Sequence, residues 1–122
     1  MPSRPDHIAK AEANELLAHT LQVSYPDWAL TVLFYSALHW VDAVLDGLNG
    51  ASVHPQRHRD RHSFIAQDPQ LRVFEPEYSS LWNMSENARY YCELFFPDDV
   101  GFVLTARFDP VKSECKRLLA PP

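Results

Sequence analysis

The stretch from Asp27 to Leu48, DWALTVLFYSALHWVDAVLDGL, decides the fold. Trp28, Leu30, Val32, Leu33, Phe34, Ala37, Leu38, Trp40, Val41, Val44 and Leu45 make it apolar almost all round, as in a helix covered by neighbours on every side. Projected at about 100° per residue, the remaining Thr31, Tyr35, His39, Asp42 and Asp46 fall on one stripe about 80° wide. The stripe is either a strip of surface between two packed neighbours or a site. In the second case His39 and Asp42, one turn apart, face a polar cavity or a subunit interface, and the carboxylate orients the imidazole and raises its pKa. His39, Asp42 and Asp46 also make this run too polar for a membrane span, and the start MPSRPDHIAK lacks the apolar core of a signal peptide. A cytoplasmic protein with no membrane association is expected.

Helical patterns flank this spine on both sides. Upstream, Ser3 and Asp6 read as a capping box, and Ala9, Ala13, Leu16, Leu17 and Thr20 share one face of a helix that runs to about Gln22. Ser24, Tyr25 and Pro26 then restart the chain. Downstream, Gly47, Asn49 and Gly50 end the spine, and a short helix with Pro55 in its first turn is stopped by Asp68 and Pro69. Leu71, Val73 and Phe74 anchor the loop that follows. A long helix from about Glu77 carries Tyr78, Leu81, Trp82, Ser85, Ala88, Cys92 and Phe95 on one stripe and is closed by Pro97. Residues 100–107 read equally as a short helix or an extended linker, and Asp109 with Pro110 as the cap and first turn of a last helix to about Leu119.

The expected architecture is therefore all-α: one domain over residues 1–122, a bundle of about four main helices with one short helix inserted after the second. Composition agrees, since 122 residues at 46% hydrophobic content can fill one core, and only three glycines are present. Cys92 and Cys115 fall inside helical patterns, which suits buried, reduced thiols rather than a disulfide framework. Sixteen acidic against eleven basic residues give a net charge of −5, so the surface as a whole is not built to coat nucleic acid. Any anion site must be local.

One segment is local in that sense. Val53 to His62, VHPQRHRDRH, holds His54, His58 and His62 interleaved with Arg57, Arg59 and Arg61. His58 and His62 at helical spacing can ligate zinc, but the metalloprotease glutamate is missing and three arginines repel a divalent cation. No metal and no cofactor are expected here. Two readings stay open. In one, arginine forks and a helix N-terminus hold a phosphate. In the other, the run is a solvated helix start whose arginines pair with Asp60. Arg57 and His62 are roughly 140° apart around a regular helix, so a single face does not present both. A two-fold dimer can bring one copy's histidine to the other's arginine. His7 and His19 offer no constellation, Tyr90 and Tyr91 read as packing, and Glu12, Glu15, Glu75 and Glu77 as solvated face.

FYSALHWVDAVL, HPQRHRDRH and EYSSLWNMSENARYY, spread over about residues 27 to 91, resemble the small bacterial and archaeal HEPN-like helical proteins. The resemblance implies an α-helical bundle that commonly dimerises. Its nuclease members carry Arg-x4-6-His with a polar residue after the arginine, which Arg57, His58 and His62 match. Here the motif follows the second long helix, whereas many HEPN nucleases carry it at a later helix start. On this resemblance the chain is a metal-independent endoribonuclease, of the kind that serves as a toxin or defence effector, with a composite site at a homodimer interface. His62 is the expected acid/base, Arg57 the phosphate clamp and His58 a further catalytic candidate. Arg61, Arg59, His54 and Arg89 are the expected RNA- and phosphate-binding residues, and the 2′-hydroxyl explains a preference for RNA. Many HEPN domains are not catalytic. The alternative is an interaction or regulatory module whose partner is an antitoxin or a nucleotidyltransferase.

Overall fold

Helices start where the sequence supplies a competent first turn. Ser3 caps α1 (Arg4–Leu21): Asp6 Oδ2 accepts the Ser3 backbone N–H at 2.9 Å while the Ser3 hydroxyl accepts the Asp6 N–H. Pro26, Pro76 and Pro97 occupy first-turn positions of α2 (Pro26–Leu45), α4 (Glu75–Tyr90) and α5 (Pro97–Val103), where the missing N–H costs nothing. The computed structural model describes residues 2–121, and among these no β-strand forms. Only an isolated bridge joins Asp46 to Ser52.

α2 is the central helix. α1 lies along it, and α4, α5 and α6 (Asp109–Leu119) cover its other sides. Leu30, Leu33, Phe34, Ala37, Val41 and Leu45 are essentially inaccessible and meet Tyr78 and Leu81 of α4, Val100 of α5 and Val111 of α6 in one core. By length and hydropathy α2 passes for a membrane-crossing helix, yet 78% of that window is buried inside the bundle, which identifies it as a core helix. The stripe that sequence alone left open is mostly covered: Thr31 and Asp42 are buried, Tyr35 and His39 half-buried.

Among the described residues the bundle has four long helical rods and one short helix, α3 (His58–Gln67), inserted between α2 and α4. Residues 100–107 are helical. α5 runs into a π-type segment, Leu104–Phe108, and on into α6 with no break, so the fourth rod is continuous from Pro97 to Leu119. Asp109 is thus the first residue of α6 rather than a cap, because Phe108 before it is already in helical conformation.

Other boundaries shift for physical reasons. α2 stops at Leu45 instead of Leu48 because Gly47 takes φ 120° and turns the chain back toward Ser52. α3 begins at His58, three residues after Pro55; Arg57 is extended and precedes the first turn. α4 begins at Glu75, two residues earlier than its apolar stripe suggested, continuing a 3-10 turn at Arg72–Phe74. It ends before Cys92, which has φ 57° and is exposed, so only Cys115 is the expected buried thiol. α1 buries His7, Ala11 and Ala18, whereas Leu16 is 70% exposed and Ala9, Ala13, Leu17 and Thr20 also face outward. The face with small residues won because α1 lies close against α2, where a leucine row would hold it off.

Candidate functional site, the histidine and arginine seam around the short helix

α3 is docked by a charge as well as by an apolar residue. Its two buried residues are Arg61 and Ile65. Arg61 Nε donates to Asp42 Oδ1 at 2.7 Å and Nη2 to Asp42 Oδ2 at 3.0 Å, a bidentate pair with both side chains under 10% exposed. Nη2 also donates to the Pro55 carbonyl at 2.9 Å, which ties down the extended segment ahead of the helix. Arg61 is therefore a structural cation paired with Asp42 of α2, not with Asp60. Its expected role as a phosphate ligand does not fit a guanidinium already consumed in the core.

The same pairing changes His39. The Asp42 carboxylate turns to Arg61, and His39 Nδ1 instead lies 3.0 Å from His7 Nδ1 of α1. Burial, with His7 beside it, holds the His39 imidazole below its ordinary pKa, the opposite of the rise expected from Asp42 alone. His7, which the sequence left without a constellation, has one.

On the α4 side of α3, His58 and His62 stack one turn apart against Trp82, with ring centroids 5.7 and 5.8 Å away. His58 is half-buried among Phe34, Tyr35 and Trp82, and its Nδ1 has no hydrogen-bond partner. Burial and the nearby Arg61 and Arg89 push it toward the neutral form. His62 is about one third exposed, and its Nε2 meets Glu75 Oε1 at 2.8 Å and Ser79 Oγ at 2.9 Å. Ser79 also donates to Glu75 Oε1 at 2.6 Å. These bonds hold the Glu75 carboxyl below the usual carboxylate range, so Glu75 is a histidine partner rather than plain solvated surface.

Arg89 joins the seam at its far end, donating to the Tyr35 hydroxyl at 3.0 Å while its guanidinium lies 5.0 Å from the Tyr90 ring centroid. Tyr35 in turn faces His58. Tyr90 and Tyr91 are about 70% exposed, so neither fills a core edge. Arg57, Arg59 and His54 lie elsewhere. Arg57 and Arg59 are exposed, and Arg57 lines an open concavity of about 660 Å³ with His54, Asp60, Phe64 and Gln67. His54 sits near the Ser52 hydroxyl, 3.1 Å away, and Asp46, 3.7 Å away. His62 is not part of that concavity. Within one chain, then, the structure gathers His58, His62 and Arg89 along α4 and leaves Arg57 on another side of α3.

Sequence reasoning passed over Asp42, Glu75, Ser79, Trp82 and Tyr35 as members of this arrangement. A signal existed for part of it: His58, Arg61 and Ile65 recur at three and four residues, the inward face of a short helix, which places Arg61 inside. The partners of His62 on α4 had no such signal, because their approach depends on how two helices far apart in sequence meet.

An all-α bundle with a polar, aromatic seam between its second, third and fourth helices is the class that fold and site define. No family model, curated protein or solved structure matches the chain significantly.

Proposed function

We propose that this chain acts by binding a macromolecular partner, as a non-catalytic HEPN-type interaction or regulatory module. The observation that carries this reading is the separation of the basic pair. Arg57 opens into one concavity, His62 is braced by α4 on the other side, and Arg61 is spent on Asp42. A belt of exposed apolar residues supports it: Tyr25, Trp28, Tyr90, Tyr91, Leu94 and Phe96 range from 58% to 78% exposed. Trp28 and Tyr90 line one cavity of about 350 Å³, and Gln22 bonds the Pro97 carbonyl at 3.1 Å, so these segments adjoin. Aromatics of about 150–250 Å² each, exposed to this degree, exceed the scattered apolar surface of an ordinary monomer. A second copy, an antitoxin or a nucleotidyltransferase is the class of partner, and a cytoplasmic setting accompanies the reading.

One observation favours a second reading, the metal-independent endoribonuclease with its composite site across a homodimer. A histidine fixed at Nε2 by a carboxylate is equipped for proton transfer at its other nitrogen. Purified wild type and His62→Ala, incubated with RNA in EDTA, separate the two. The binding reading expects no cleavage from either protein. Cleavage by wild type that falls about 10²- to 10⁴-fold in His62→Ala, and falls also in Arg57→Ala, replaces it with the ribonuclease.

A further inference from the structure

Two imidazoles and a carboxylate converge where the first turn of α1 lies against the C-terminal third of α2. His7 Nδ1 and His39 Nδ1 are 3.0 Å apart, and one carboxylate oxygen of Asp42 completes a set whose members lie within 4.8 Å of one another. We propose that His7, His39 and Asp42 form a binding site for a divalent transition-metal cation of the zinc type, clamping α1 to α2. This site shares no ligand with VHPQRHRDRH, although Arg61 of that stretch orients Asp42, and it does not rest on the proposed function.

Donor chemistry and geometry point the same way. Ligands about 2.0–2.1 Å from a tetrahedral zinc stand about 3.3 Å apart, so the two nitrogens at 3.0 Å are near ligand spacing, and with the Asp42 oxygen within 4.8 Å the histidine side chains are the ones that turn to close the set. Two nitrogens and one oxygen suit zinc, cobalt, nickel or copper; magnesium and calcium prefer an all-oxygen shell. Asp42 is not free to swing, because Arg61 holds both of its oxygens. Each oxygen keeps a second lone pair, and a hydrogen-bonded, oriented carboxylate is how metal sites commonly fix their ligands. Arg61 offsets the Asp42 charge and opposes a cation, so binding here rests chiefly on the two imidazole nitrogens. His7 and Asp42 also line a cavity of about 160 Å³ with Pro2, His54, Pro55 and Gln56, which gives the ion a route in and leaves room for a water as fourth ligand.

Titration calorimetry of the untagged, EDTA-stripped full chain with zinc tests this, with melting temperature read in parallel. One ion per chain and a raised melting temperature are expected, with no response to magnesium. His7→Gln and His39→Gln should each weaken zinc binding at least about 100-fold, more than the loss of an outer-shell partner does. His19→Gln, on the exposed side of α1, should bind like wild type. Should one glutamine variant fail to fold, the other carries the result, and cobalt added to wild type should give the visible absorption of a four-coordinate nitrogen and oxygen site. Absence of binding overturns the proposal. So does binding that survives in both variants, or that is lost only when His54, His58 and His62 are replaced.

Discussion

Arg61 shows how much one side chain decides. Taking an arginine out of water is costly, and here the cost is met by two bonds to Asp42 and one to a carbonyl. Removing either partner leaves the other charge buried alone. Arg61→Ala and Asp42→Ala should each lower unfolding free energy by about 3–5 kcal/mol in urea titrations, and the double variant by clearly less than their sum. His58 makes the complementary case. Folding favours its neutral form, so the folded state binds its proton more weakly than the unfolded chain does. Its stabilising contribution is full above the unfolded pKa near 6.5 and declines as pH falls through that value toward the lower folded one. Between pH 7.5 and 5.5 the melting temperature of wild type, measured in EDTA, should therefore fall more than that of His58→Gln. The charged groups facing it are Arg61, Arg89, Glu86 and Asp42.

At the scale of elements, the spine was readable from its own residues, because an almost wholly apolar helix has few places to go but the centre. Ends and faces were less so. α1 offered two stripes, one of leucines and one of small residues with His7, and the choice between them depends on how near α2 comes, which no local pattern records. α3 was placed but started too early, since Pro55 fits a first turn as well as it fits the extended leader that Arg61 pins. The seam followed the same division: His58 and His62 were singled out, while Glu75 and Ser79 came from another helix. The α2 terminus illustrates a close approach of elements. Arg4 Nε donates to the Ala43 carbonyl at 2.8 Å, satisfying the end of α2 from the start of α1. A Cβ at Gly47 would stand 2.5 Å from Arg4 Nη2, at a φ of 120° that side chains avoid. Gly47→Ala should cost at least about 1–2 kcal/mol, read as a lower urea midpoint at unchanged slope. Arg4→Ala in the same background should recover part of it.

For the whole molecule, the perturbed carboxylates act in one direction. Asp6, Asp46, Glu75 and Glu114 all have pKa values lowered by hydrogen bonds from Ser3, Ser52, Ser79 and Arg117 respectively. Each contributes stability that is present above its unfolded value, 3.8 for the aspartates and 4.5 for the glutamates, and that is lost as pH falls through the folded one. Acid should accordingly unfold the chain in two stages of sensitivity, one set by His39 and His58 below about pH 6.5 and a steeper one below about pH 4.5. Circular dichroism followed from pH 7 to pH 3 reads both. The exposed belt belongs to this scale too. Replacing Trp28, Tyr90 and Phe96 together with serine should leave the melting temperature within a few degrees of wild type while abolishing association with the proposed partner, whether a second copy or another protein.

α3 buries only Arg61 and Ile65 of its own length, and what holds it down besides is the His58 and His62 contacts to its neighbours. Regions with few buried apolar contacts open locally, ahead of global unfolding. In hydrogen exchange the α3 amides should therefore lose protection well before those of α2, and Arg61→Ala should speed α3 further while α2 keeps its place in the order. An opening of that kind swings His58 and His62 away from Trp82 without melting the bundle. The short helix is then the first part of the frame to give, and because its Arg61–Asp42 pair is buried, added salt should change how often it opens far less than loss of either partner does.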